Sequence, residues 1–112
     1  MVYLPIALFA IAAVLGVTIL IKWLQDQEAP KAIVYSHGGV AAVALVLLIL
    51  YSVQNPDKFP MLSLILLVVA ALGGFALFFT ELLAKKRLVP VGIVHALLAV
   101  GGFVTLLLFV FA

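Results

Sequence analysis

Four uninterrupted apolar runs constrain this chain more than anything else in it. They extend from about Val2 to Leu24, Ala32 to Val53, Phe59 to Leu83 and Leu88 to Phe111, with short polar stretches between them. Each is roughly 20–25 residues, the length that crosses a hydrocarbon core of about 30 Å as a helix. In lipid a segment has to satisfy its own backbone N–H and C=O groups, which selects helices. The runs are too long and too little alternating for barrel strands. Over the whole chain 69% of residues are apolar and 9% charged, too little polar surface to keep a soluble domain in water. A mean hydropathy of +1.49 agrees. The sequence therefore predicts an integral membrane protein, all-α, with the lipid bilayer as its solvent.

The punctuation supports four spans. Pro30, Pro56 and Pro60 fall in or beside the connections, and Pro5 and Pro90 fall in first turns, where a missing N–H costs little. Short connections make sequential helices antiparallel, so an up-down four-helix bundle over residues 1–112 is expected. The first run has no basic start and no small-residue cleavage site after it, so it is expected to be retained as a span. Lys22, Lys31, Lys85, Lys86 and Arg87 fall on one side of such a bundle and only Lys58 on the other. The positive-inside rule then places both termini outside, in what is expected to be a prokaryotic cytoplasmic (inner) membrane. Trp23 and Tyr35 match an inner aromatic belt, and Tyr3, Tyr51 and Phe59 an outer one.

An internal repeat accompanies this plan. "AAVLGVTILIKWL" in the first run resembles "VAALGGFALFFTELL" in the third. Aligning Gly16 with Gly73 brings His37 close to His95, with halves of about 1–55 and 56–112. Two halves of two spans each share one topology and are related by an approximate two-fold axis along the membrane normal.

His37 and His95 are the only histidines, and both lie inside apolar runs. Both fall roughly 9–12 Å along their helices from the basic boundary, in the cytoplasmic leaflet. Ala41 and Ala44 share the face of His37; Gly92, Ala99 and Gly102 share that of His95. An imidazole beside a trough of small residues, twice, suits a flat apolar object held between the second and fourth helices. Haem b fits that description, with His37 and His95 as axial ligands to one iron and no covalent attachment. Its propionates would face the basic boundary, where Lys31, Lys85, Lys86, Arg87 and Tyr35 are available. Phe75, Phe78, Phe79 and Phe103 are candidates to cover the macrocycle.

These two "HG/HA" helices in a duplicated four-span bundle resemble the bis-histidine membrane b-type cytochromes. The resemblance implies non-covalent haem and electron transfer with a quinone or a redox protein. Many such cytochromes carry two haems on four histidines; one pair limits this chain to one haem.

Other chemistry finds less support. With no cysteine, disulfides, thiolate catalysis and iron–sulfur clusters are excluded. No hydroxyl stands in a motif with a base and an orienting acid, so the chain reads as a non-enzymatic carrier. A continuous basic face for nucleic acid is absent. Zinc or copper would need a third ligand. Glu81 is the one acidic residue in a span, but Lys85 four residues on makes a boundary ion pair the expected role. Two alternatives remain: a small four-span transporter or channel component, and a structural assembly subunit whose histidines serve helix contacts. Either a monomer or a homodimer is compatible with the leftover small-residue faces.

Overall fold

The computed structural model describes residues 2–112. They form four helices: α1 Tyr3–Leu24, α2 Lys31–Gln54, α3 Met61–Ala84 and α4 Val89–Phe111. All four are long and apolar enough to span a membrane. The boundaries fall within three residues of the apolar runs. Pro30 and Pro60 stand at the N-caps of α2 and α3, and Pro90 lies at the start of α4. Proline fixes its own φ and disfavours helix in the residue before it, so each marks a helix start.

α1 packs most closely with α2, and α3 with α4; α1 also touches α4, and α2 touches α3 least. Each helix thus has two neighbours, and α2 and α4 lie diagonally. The last turn of α1 meets the first turn of α4, where Trp23 lies against Gly92. At the other end Tyr3 and Phe111 bring the start of α1 beside the end of α4, ring centroids 6.0 Å apart. The molecule measures 44 × 21 × 20 Å, and its long axis matches a bilayer with its headgroups, about 40–45 Å.

The core contains Phe9 of α1, Ala44 and Leu48 of α2, Leu67 of α3 and Leu106 of α4. It sits toward the Tyr3–Phe111 end. Without a hydrophobic driving force between helices in lipid, close contact and hydrogen bonds hold them together. At Gly102 a Cβ would stand 2.6 Å from Leu67 Cγ, so this glycine admits the leucine. Nearby, Ser63 Oγ donates to Thr105 Oγ1 at 2.8 Å, joining α3 to α4.

Two expectations are corrected. Trp23 is 9% exposed, so it is packed inside the bundle instead of standing in an aromatic belt. The physical reason is the missing side chain at Gly92, whose hollow the indole fills. The Glu81–Lys85 ion pair does not form. Among the described residues the ion pair found joins Arg87 Nη2 to Asp26 Oδ1 at 3.6 Å. α3 ends at Ala84, and Lys85 takes a left-handed backbone with φ 54°. That turn carries Lys85 off the helical path on which an i,i+4 pair depends.

Candidate functional site: a pair of imidazoles inside the bundle

Each histidine occupies the second turn of its helix and points at the neighbouring helix. His37 Nδ1 donates to the Ala12 carbonyl of α1 at 2.8 Å, and His95 Nδ1 donates to the Ala70 carbonyl of α3 at 2.7 Å. Both bonds span 25 residues of chain. A carbonyl only accepts, so Nδ1 carries the proton, and in the neutral ring Nε2 keeps a free lone pair. A mid-helix carbonyl already accepts from its own helix, but its second lone pair is available, so neither bond costs the helix anything.

A glycine makes room for each ring. A Cβ on Gly16 would lie 2.9 Å from His37 Cε1, and one on Gly74 would lie 3.1 Å from His95 Cε1. Gly16 follows Ala12 by one helical turn, as Gly74 follows Ala70. Both helix pairs therefore contain the same unit: a carbonyl that orients an imidazole, and a glycine one turn on that lets it approach. The two rings come together across the diagonal. Their centroids are 6.4 Å apart and their planes stand at 89°.

Nε2 of His37 would stand 3.6 Å from a Cβ on Gly16, and Nε2 of His95 3.7 Å from one on Gly74, so each free nitrogen borders the glycine helix of its own pair. Hydrogen-bonded Nδ1 with a free Nε2 is the arrangement in which histidine ligands are held by their surroundings. The donor set therefore fits a group ligated by two imidazoles. Glu81 does not join them: no cluster of three metal-ligating side chains occurs among the described residues. A three-ligand zinc or copper centre has no support.

The other sequence-derived positions are distributed unevenly. Ala41 and Ala99, one turn beyond the histidines, are half-buried. Ala44 is fully buried in the core. Gly92 is covered by Trp23 and Gly102 by Leu67, so the hollows at these two glycines are filled by protein. Phe75 and Phe79 are exposed on the outside of α3, and Phe78 packs edge-on against Tyr35 at 5.8 Å. Lys31 and Tyr35 are exposed near the start of α2, and Arg87 is half-buried in the α3–α4 connection. Clefts of about 400 and 250 Å³ lie toward the opposite end, around Phe59–Ser63 and around Tyr51 and Lys58. Neither histidine lines them.

Sequence reasoning missed Ala12, Gly16, Ala70 and Gly74 as parts of the site. The signal was present in the repeat, but the alignment set Gly16 against Gly73. The shift that superposes both hydrogen bonds sets Gly16 against Gly74, one residue further. Comparison with known protein families, with curated proteins and with solved structures finds no match.

Proposed function

We propose that His37 and His95 bind one haem b through their Nε2 atoms, and that the protein carries electrons within a membrane. The observation that carries this reading is the imidazole pair: two rings 6.4 Å apart, each fixed through Nδ1 to a backbone carbonyl. When bound, haem supplies one-electron chemistry at its iron. The chain's own part is to hold two neutral imidazoles in one tautomer. It also keeps them in an apolar setting and leaves no third ligand. With both histidines as its ligands the group would have no open position for a substrate, which favours electron transfer. Lys31, Tyr35 and Arg87 stand toward the end where carboxylate arms would meet water. A quinone or a redox protein is the partner class that such a carrier needs, and a homodimer is compatible with the glycines at 38 and 39, which meet no neighbour within 4 Å.

The same reading includes an up-down bundle built from two related helix pairs. Contacts of α1 with α4 at both ends favour the antiparallel course, and the equal 25-residue reach of the two histidine bonds favours the duplication. The charge pattern favours an inner membrane with both termini outside.

A second reading rests on an observation of its own. Gly92 and Gly102 are filled by Trp23 and Leu67, and both histidines already bond neighbouring helices. A cofactor-free subunit, structural or part of a transporter, would use the pair as interhelical clasps. Absorption spectra of air-oxidised and dithionite-reduced protein, purified from cells supplied with haem, separate the two. A sharp Soret band that shifts on reduction, lost in His95→Ala, is expected. Colourless protein, or an unchanged spectrum in His95→Ala, sinks the haem assignment.

A further inference from the structure

The cleft of about 400 Å³ between the start of α3 and the end of α4 joins apolar walls to a pair of hydroxyls. Phe59, Leu62, Leu108 and Phe109 form the walls, and Ser63 and Thr105 supply the hydroxyls. No charged residue lines it. Leu62 and Leu108 are exposed, so the cleft opens sideways, toward lipid. It stands at the end of the spans, where hydrocarbon gives way to headgroups. Small-molecule sites of about 300–1,000 Å³ have this make-up, mostly apolar with a few polar atoms that fix orientation. The cleft suits an apolar molecule with one small polar group.

The hydrogen bonds of the two hydroxyls specify that group. Thr105 Oγ1 donates to the carbonyls of Gly101 and Gly102, both at 2.9 Å. A carbonyl only accepts, so the Thr105 proton is committed. Ser63 Oγ, 2.8 Å from Thr105 Oγ1, is therefore the donor of the bond between them. Both protons are spent inside the protein, and what is left for a visitor is acceptor lone pairs. Two donors stand beside them. The first-turn N–H groups of Leu62 and Ser63 have no acceptor among the described residues, and α3 has no side-chain cap. A hydroxyl both donates and accepts, and answers this arrangement; an ether, an ester or a carboxylate only accepts. A phosphate or an ammonium would sit against apolar walls without a counter-charge, since Lys58 lines the neighbouring cleft. We infer that this cleft binds a neutral lipid alcohol of the diacylglycerol type. Its hydroxyl donates to Ser63 Oγ, and its chains leave between Leu62 and Leu108. The inference rests on neither histidine and on no bound haem.

The test uses the full chain in phosphatidylcholine nanodiscs and a dioleoylglycerol carrying a diazirine on one acyl chain, close to the ester. On illumination, crosslinks are expected within residues 59–63 and 105–109, read by peptide mass spectrometry. Unlabelled dioleoylglycerol should displace the probe. Its O-methyl ether, which cannot donate, should need about tenfold more, the worth of one hydrogen bond. Ser63→Ala should raise the half-saturating probe fraction by a similar factor. Ser52→Ala should leave it unchanged, because that hydroxyl bonds the Leu48 carbonyl within α2 and lines neither cleft. Thr105→Val removes the atom that takes the Ser63 proton. That proton then becomes available to the ligand, so alcohol and ether should compete equally. Circular dichroism confirms that each variant remains helical. Equal competition by alcohol and ether in the unaltered chain overturns the proposal, because the cleft would then take any acyl chain. Crosslinks scattered over the lipid-facing sides of all four helices overturn it too, as does Ser63→Ala protein that binds like the unaltered chain. So does an advantage of alcohol over ether that persists in Thr105→Val.

Discussion

At the scale of single residues, the glycines divide by what stands opposite them. Gly16 and Gly74 face imidazoles, whereas Gly38 and Gly39 face nothing within 4 Å. Alanine at Gly16 drives a methyl to 2.9 Å from His37 Cε1, and at Gly74 to 3.1 Å from His95 Cε1. Overpacking of this kind typically costs about 1–3 kcal/mol. It acts here on the ring that also bonds Ala12 or Ala70, so the hydrogen bond weakens with it. Gly16→Ala is expected to lower the thermal unfolding midpoint in detergent more than Gly74→Ala, in the order of the two distances. Gly39→Ala should leave it unchanged or raise it, because alanine gains up to about 1 kcal/mol of helix propensity over glycine. Equal losses at all three positions would show that glycine matters to the helices and not to the imidazoles. The histidines themselves were legible from the sequence, since two ionisable groups in apolar runs stand out. Their partners were not. A carbonyl has no side-chain signature, and one glycine of the Gly73–Gly74 pair cannot be chosen without the helix phase.

At the scale of elements, the four spans follow from the sequence almost directly. Hydrocarbon thickness fixes their length, and prolines fix their starts. What fills each helix face was less legible. A small residue signals close approach but not the identity of the visitor. Gly92 receives Trp23 and Gly102 receives Leu67, although both glycines share the face of His95 and first read as room for a ring. Helix ends were likewise hidden. Lys85 closes α3 with φ 54°, a conformation that costs an L residue about 1–2 kcal/mol and glycine little. Glycine loses more backbone entropy on folding, which offsets part of the gain. Lys85→Gly is therefore expected to stabilise the bundle by about 0.5–1 kcal/mol, read as a higher unfolding midpoint in the same detergent. A fall of that size would mean that the ammonium of Lys85, and not its backbone, is what α3 requires.

At the scale of the whole molecule, the charge asymmetry predicts an orientation. Five of the six basic residues flank the α1–α2 and α3–α4 connections, and Lys58 alone flanks the α2–α3 connection. Each Lys or Arg near an anionic leaflet is worth about 1 kcal/mol. The difference would favour one insertion over its inverse, with the histidine pair in the leaflet next to the basic end. Because the chain lacks cysteine, a single introduced thiol reports one position without background. Gln27→Cys and Ala84→Cys stand at the basic end, and Asp57→Cys at the other; all three positions are exposed and none alters a basic residue. A membrane-impermeant maleimide added to intact cells should label Asp57→Cys alone, with the other two reacting only after the membrane is opened. Labelling of Gln27→Cys and Ala84→Cys in place of Asp57→Cys would invert the orientation and move the histidines to the outer leaflet. Labelling of Gln27→Cys and Asp57→Cys together would mean that α2 does not cross. The diagonal placement of α2 and α4 would then lose its basis, and with it the shared imidazole site.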